Sequence, residues 1–446
     1  MGCVRRVLGS VDLVRVPLRR NCRCSPRGLL LLAVLWAWSD EPGLLARWQA
    51  VAPLVRALWP RDLRAVISYQ AFLKLLVRWT EELLAALRPA LWSAMQRGRG
   101  GAWLIGGWPV FGVDGSKLAL PWTRSHEARF APRAARLRRS TRRSRHRSRQ
   151  SRADRAKKAA SPQMWLTMLW HAGTGLPWNW RLGPADSSER DHLVEMLHSL
   201  PDGALLAADA GFVGYQLWSL LRLTGHELVV RVGSNVRLLR RLGVVRESSG
   251  TVYLWPDHAA RQGEPPLVLR LIVVQGRRHP CYLVTTVLDR ARLSDREVVE
   301  VYRRRWGVEV FYRHFKQTFG RRKLRSHAAA HAECEAHWSL VGLWLLTLDA
   351  QHQRQRQGLS PERLSLAGAL QVYRHTLRAA AALVSSTSLA VTLRTTEIDS
   401  YPRRDKRSRI RRRKKYETPC RPPQLVTATP QQRYAAQQII KNNDKG

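Results

Sequence analysis

The segment 203–232, GALLAADAGFVGYQLWSLLRLTGHELVVRV, combines three apolar patterns. ALLAAD is a short apolar run that ends in an acid, Asp209, and is typical of a buried strand. YQLWSLLRL has the three- and four-residue spacing of a helix, and HELVVRV is again typical of a strand. A strand, a helix and a strand in this order predict an α/β core.

Two stretches upstream extend this predicted core. VFGVDGSKLALP at 110–121 alternates like a strand and carries Asp114 in an apolar setting, where an unpaired charge is costly to bury. Residues 161–184 predict two aromatic strands joined by a glycine-containing turn. Asp209 follows its strand directly, and sites commonly form at the carboxyl ends of strands in α/β sheets. Asp114 and Asp209 are therefore candidate site residues.

Helical and β-rich patterns flank the core. Apolar residues recur at three and four positions from about 40 to 96, which predicts an N-terminal helical unit that grips DNA or serves as a scaffold. Ser294 with Glu297 forms a capping box that opens one long helix over 295–319. Between 233 and 289, β-rich pieces separated by turns predict an inserted subdomain.

These patterns predict five parts. They are an N-terminal helical domain with a DNA-binding role (1–105), the first part of the catalytic core with a disordered basic loop at 131–160 (106–232), the β-rich insertion (233–292), the second part of the core (293–358), and a C-terminal helix with a basic, disordered tail (359–446).

The formal net charge of +43, from 76 Lys and Arg against 33 Asp and Glu, indicates a polyanionic partner, and nucleic acid is the first candidate. Six scattered cysteines do not resemble a disulfide framework, so we expect a reducing cytoplasm. The apolar runs 29–38 and 340–348 are too short to cross a bilayer. We interpret both as buried helices and expect no membrane partner.

Four polar side chains on the predicted long helix share one face. Tyr302, Arg305, Glu309 and Lys316 fall within an arc of about 60° at 100° per residue. In the functional interpretation Glu309 binds metal while the basic side chains face phosphates. An exposed helix with an Arg305–Glu309 ion pair would explain only part of this stripe.

Three other groups favour structural roles. His327, His331, Cys334 and His337 recur at helical spacing, but structural zinc sites more often draw ligands from a turn. Asp186, Glu189 and Asp191 fit the capping and dipole of the helix predicted at 187–200, which leaves Glu189 as a reserve ligand. Trp178, Trp180 and Trp306 could stack on a base, but core packing explains most tryptophans.

The spacing Tyr302-x2-Arg305-x3-Glu309-x6-Lys316 resembles the signature of the insertion-sequence family four DDE transposases. VDGSKLALP around Asp114 and ADAGFVGY around Asp209 look like that family's two aspartate motifs, and the likeness covers about 65–350. The resemblance implies an RNase H-like mixed-sheet core and cut-and-paste transposition through nicking, a hairpin intermediate and integration.

The resemblance also implies roles for individual residues. Asp114, Asp209 and Glu309 would be the catalytic metal ligands for two Mg²⁺ ions, with Mn²⁺ as a substitute. Tyr302, Arg305 and Lys316 would contact the backbone of double-stranded DNA at transposon terminal repeats and at the target. A homodimer would hold two ends together, and the resemblance implies a bacterial protein associated with the nucleoid. An RNase H-like nuclease and a non-catalytic basic nucleic-acid-binding protein are the alternative interpretations.

Overall fold

The computed structural model describes residues 2–14, 16–18, 22–98, 100–132, 162–276, 279–382, 388–398 and 421–443. Within these ranges the strands are β1 Val110–Ala119, β2 Gln163–His171, β3 Leu176–Gly183, β4 Leu205–Ala208, β5 Glu227–Val232, β6 Arg237–Arg240, β7 Thr251–Leu254, β8 Leu267–Val274, β9 Cys281–Thr285 and β10 Gln424–Thr427.

Helices surround these strands. They are α1 Gly2–Gly9, α2 Pro26–Trp38, α3 Leu44–Leu58, α4 Tyr69–Gly98, α5 Gly100–Trp103, α6 Arg124–Phe130, α7 Glu189–Met196, α8 Tyr215–Leu223, α9 Asp257–Arg261, α10 Asp295–Arg304, α11 Gly307–Arg313, α12 Ala329–Gln355, α13 Leu366–Ala381, α14 Leu389–Arg394 and α15 Pro430–Asn443. A π-helical turn at His314–Thr318 follows α11 directly.

All these strands join one mixed sheet in the order β10-β6-β7-β8-β9-β5-β4-β1-β2-β3. β1, β2 and β3 pair antiparallel, whereas β4 is parallel to both β1 and β5. The apolar runs that predicted β1 to β5 are buried in the sheet because helices cover it. The predicted mixed α/β fold is thereby confirmed.

The β-rich segment 233–292 continues this sheet. Its strand β9 pairs antiparallel with β5, so β6 to β9 extend the core sheet at one edge. β6, which the sequence pattern did not single out, pairs with β7 at Leu239 and Tyr253. The boundaries drawn from the sequence for the five parts remain predictions.

The N-terminal helices share their packing with a helix from the other end of the chain. α2, predicted as a buried helix, begins after its Ser25 cap with Pro26 and is buried from Gly28 to Trp38. The indole Nε1 of Trp38 donates to the carbonyl of Gly342 in α12 at 2.8 Å. In the part of the chain that the structure describes, no helix combines the length and apolarity needed to span a bilayer.

The prediction of a single long helix over 295–319 is wrong, because the helix is broken near its middle. The capping box of Ser294 and Glu297 is present, but α10 ends at Arg304 and α11 begins at Gly307. At that break the backbone of Gly307 lies against the indole of Trp170, and a Cβ at 307 would come within 2.5 Å of its Cζ2 atom. The chain therefore bends where a distant side chain packs against its backbone.

The prediction of a disordered tail is also wrong for 421–443. β10 pairs in parallel with β6, and α15 follows it. Ala428 and Ala436 are buried, so these small apolar residues anchor a segment whose composition is otherwise polar. Most of the predicted basic loop, at 133–161, and the basic run at 403–415 lie outside the described residues.

Candidate active site

Two of the predicted acids lie at the same place on neighbouring parallel strands. β1 and β4 pair up to Gly112 and Ala207, and Asp114 and Asp209 each lie two residues beyond that pair. Asp209 caps a 3-10 turn, where its Oδ1 accepts a hydrogen bond from the backbone of Gly211 at 2.9 Å. The register of the sheet thus brings together two acids that are far apart in sequence.

The segment from α11 to the π-helical turn crosses one face of β1. The hydroxyl of Tyr312 donates to the backbone carbonyl of Asp114 at 2.8 Å, and it lies 3.2 Å from the carbonyl oxygen of Leu166. Two residues further along β1, Ser116 accepts a hydrogen bond from Lys316 Nζ at 2.6 Å. Alternate residues of β1 face the same side, so this crossing fixes Lys316 beside the face that carries Asp114.

Arginines pair with two of the three acids. Arg305 Nη2 lies 3.2 Å from Glu309 Oε1, and Arg231 Nη2 lies 3.2 Å from Asp209 Oδ2. Arg305 is only 6% exposed, and its guanidinium lies 5.5 Å from the ring centre of Tyr302. The four side chains predicted as one stripe therefore reach the same region, although the helix that carries them is broken.

The charge of Asp114 is destabilised by its surroundings. Burial raises the pKa of its carboxyl to about 6, and the negative charges of Glu309 and Asp209 act in the same direction. A hydrogen bond from the backbone of Gly115 and the charge of Arg305 oppose this rise. Burial also lowers the pKa of Lys316, whereas Asp114 opposes that change. The acids and Lys316 therefore share one electrostatic environment.

A fourth acid, Glu189, lies in the same environment. Burial raises its pKa to about 7, and the charges of Asp114 and Asp209 contribute to the rise. Sequence reasoning assigned Glu189 to the start of α7, and it is the first residue after the Ser188 cap. A capping position explains the residue type equally well, so the sequence held no signal that separated the two roles.

Arg231 is a site residue that the sequence analysis missed. It interrupts the apolar run of β5, yet its side chain is 39% exposed and reaches Asp209. Its charge also acts on Tyr302 and opposes the rise in the pKa of that phenol that burial causes. A lone arginine among the valines of HELVVRV was the available signal, because a buried strand rarely carries an unpaired charge.

The donor set suits a hard divalent cation, but the carboxylates are not arranged around one. Among the described residues, no group of three or more His, Cys, Asp and Glu side chains is set to hold a metal ion. Arg231 and Arg305 pair with Asp209 and Glu309 at this position. Four carboxyl groups nevertheless supply the oxygen ligands that a hard ion such as Mg²⁺ prefers.

The groups that favoured structural roles have structural partners. Cys334 Sγ lies 3.6 Å from the hydroxyl of Thr80, and the imidazole of His337 accepts a hydrogen bond from the indole of Trp180. Trp178 and Trp180 are buried, as core packing requires, whereas Trp306 is 60% exposed. The described residues thus give no support to a zinc site on α12.

Comparison with known proteins agrees with these motifs. A family model described as transposase DDE domain matches residues 134–345, which include Asp209 and Glu309 but begin after Asp114. The transposase InsG for insertion sequence element IS4 of Escherichia coli (strain K12) is 29% identical over 150 residues. The sequence is similar to those of IS4-like DDE transposases. The resemblance to that family is thereby confirmed.

The extent of these likenesses is limited. The aligned part covers 32% of this chain and 33% of InsG, so the chain matches about a third of that transposase's length. A solved piggyBac transposase synaptic complex with hairpin DNA is similar over 92% of this chain and 87% of that chain, with 11% identity and a TM-score of 0.41. That structural likeness is too distant to establish a shared fold.

Proposed function

We propose that this protein is a transposase that cleaves and joins DNA at a site built from Asp114, Asp209 and Glu309. The observation that carries the proposal is the crossing of β1 by α11 and the following turn. The pairing of β1 with β4 and this crossing together bring one acid from each of three elements into one electrostatic environment. The family likeness supports the reaction class.

The carboxylates of Asp114, Asp209 and Glu309 would hold the divalent cations, Mg²⁺ or Mn²⁺. Bound there, two such ions would supply Lewis-acid charge to the scissile phosphodiester and its leaving oxygen. Arg231 and Arg305 pair with two of these acids. These pairs would have to open before Asp209 and Glu309 could turn both carboxylate oxygens toward a cation.

The basic and phenolic groups would orient the DNA backbone. Arg305 and Arg231 offer guanidinium forks suited to phosphate oxygens, and Lys316 offers a point charge held in place by Ser116. Tyr302 lies beside both arginines and would donate its hydroxyl, since burial keeps its pKa above the ordinary value. These four side chains would align a phosphate with Asp114.

The finer points of the proposal follow from the family resemblance. The order β3-β2-β1-β4-β5, an antiparallel hairpin followed by parallel strands, supports an RNase H-like core. We propose cut-and-paste transposition at terminal repeats of double-stranded DNA, a homodimer that joins two ends, a DNA-gripping role for the N-terminal helices, and action at the bacterial nucleoid. The net charge of +43 supports the DNA partner.

Replacing Glu309 by Gln tests the site. We expect Mg²⁺-dependent cleavage of terminal-repeat DNA to fall by at least about a hundredfold, because a developing charge loses its electrostatic stabilisation. Binding of the same DNA, measured by fluorescence anisotropy, should be retained. Glu300→Gln is the matched control, since Glu300 pairs with exposed arginines on α10 and should keep full activity. Wild-type cleavage by Glu309→Gln would refute the site.

The two alternative functions give different results in the same assays. A basic nucleic-acid-binding protein would cleave nothing, and no substitution of an acid would change its behaviour. An RNase H-like nuclease would need the acids but would cut DNA that lacks terminal repeats as readily as DNA that carries them. A transposase should cut only the DNA with terminal repeats.

A further inference from the structure

Glu189 occupies a position that the backbone of β1 leaves open. Gly115 follows Asp114 directly, and a Cβ built on Gly115 would overlap the Glu189 carboxylate, with its Cδ at 2.7 Å. The carboxylate therefore lies over the peptide next to Asp114, in space that any residue larger than glycine would fill. It also lies beside the indole Nε1 of Trp165, which is 2.8 Å from the same Cβ position.

A contact between α7 and β2 holds Glu189 in this position. β1 and β2 pair so that Gly115 lies opposite Thr167. The hydroxyl of Thr167 lies 2.9 Å from Nδ1 of His192, a buried contact one turn after Glu189 on α7. The Ser188 cap fixes the start of α7. The pairing of β1 with β2 and the packing of α7 on β2 therefore place Glu189 over Gly115.

Glu189 differs from the other acids in its partners. Asp209 and Glu309 each pair with an arginine, and Asp114 accepts a backbone hydrogen bond. Across the ranges that the structure describes, the Glu189 carboxylate has neither a hydrogen-bond donor nor a cationic partner. The indole Nε1 of Trp165 is buried and also lacks a hydrogen-bond partner there. A half-buried carboxylate beside two further acids needs positive charge to remain ionised at low cost.

We propose that Glu189 is a fourth carboxylate of the active site and contributes an oxygen to the divalent cation that Asp114 binds. This inference rests on the proposed function, because it assigns one more ligand to the same site. Glu189 meets the requirement of a hard cation for oxygen donors, and it approaches from α7, an element that carries none of the three predicted acids. Unlike Asp209 and Glu309, Glu189 could bind a cation without first breaking an ion pair with an arginine.

The test is Mn²⁺ binding to the intact, DNA-free protein, read from the electron paramagnetic resonance signal of free Mn²⁺. We expect Glu189→Gln to weaken Mn²⁺ binding by at least about tenfold. Asp191→Asn is the matched control, because it removes the same charge from an exposed position in the same helical turn, and it should bind as the wild type does. Gly115→Ala, which displaces the carboxylate without removing it, should weaken binding in the same way.

The outcomes separate this inference from the proposed function. If the wild type binds Mn²⁺ and Glu189→Gln binds it equally well, the role of Glu189 is refuted while the site of Asp114, Asp209 and Glu309 stands. If the wild type binds no Mn²⁺ with or without DNA, both fail. Circular dichroism at increasing temperature checks that each variant is folded. Should Glu189→Gln unfold, Gly115→Ala decides the question.

Discussion

Asp114 illustrates how one residue couples the fold to the chemistry. Its strand is buried up to Val113, its backbone carbonyl accepts a hydrogen bond from Tyr312, and its carboxyl lies near Glu189 and Asp209. The ionised form of Asp114, which a metal site requires, therefore lowers the stability of the folded chain unless a cation is bound. A cation should consequently stabilise the fold as well as enable catalysis.

Replacing Asp114 by Asn should reveal this cost as a pH dependence of stability. The folded-state pKa of about 6 lies above the ordinary value of 3.8, so the folded protein holds the proton more tightly than the unfolded chain. The stability due to this group is present below about pH 4 and diminishes as pH rises through about 6. Metal-free wild type should therefore become less stable relative to Asp114→Asn over that range.

Urea unfolding in chelating buffer at pH 4, 6 and 8 measures the difference. Asp114→Asn should match the wild type at pH 4 and exceed it at pH 8. Asp191→Asn, at an exposed position, should follow the wild type throughout. A difference that does not change with pH would mean that Asp114 is ionised without penalty in the folded protein.

The sequence identified some site residues and not others for physical reasons. Asp114 and Asp209 were recognisable because an acid is costly in an apolar strand context. Glu189 was not, because an acid at a helix start has a local explanation in the helix dipole. Arg231 was visible only as a lone charge in an apolar strand, because its partner Asp209 follows a neighbouring strand and no local pattern specifies which strands pair.

Among the helices and strands, those specified by local sequence patterns were predictable, whereas those that depend on contacts distant in sequence were not. The strands β1 to β5 were predictable from short-range periodicity. The break between α10 and α11 was not, because it depends on the contact of Gly307 with Trp170, which belongs to β2. β10 was missed because four residues of edge strand carry too few apolar side chains to form a pattern. The break nonetheless orients α11 across β1.

Gly307→Ala should destabilise the fold. The added methyl group would overlap the indole of Trp170, which cannot move freely because it is buried between β2 and the helix break. Overpacking of this kind costs about 1–3 kcal/mol, which should appear as a lower midpoint in thermal or urea unfolding. Gly101→Ala in α5 is the control, because no atom lies within 4 Å of its Cβ position. Equal stability of the two variants would show that Trp170 yields without cost.

For the whole molecule, the overall positive charge and the proposed active site make separate contributions to DNA binding and to cleavage. The net charge of +43 is spread over a chain with 76 basic residues, whereas the proposed chemistry needs only a handful of them. Counterion release makes each phosphate contact an affinity term that falls with salt and carries no sequence information. General affinity for DNA and positioning of one phosphate beside Asp114 should therefore respond differently to substitution.

Exchanging the arginines between 133 and 158 for glutamine separates the two properties. This basic segment predicts contact with DNA phosphates. We expect the slope of log affinity against log salt to become shallower by about 0.9 for each phosphate that the segment no longer neutralises. Cleavage at saturating DNA should persist, because Asp114, Asp209 and Glu309 are unchanged.

Lys316→Gln should do the reverse, reducing cleavage while leaving the slope of log affinity against log salt nearly unaltered. If the arginine exchange abolished cleavage at saturation while the slope stayed constant, the segment would belong to the site and not to the general DNA-binding surface.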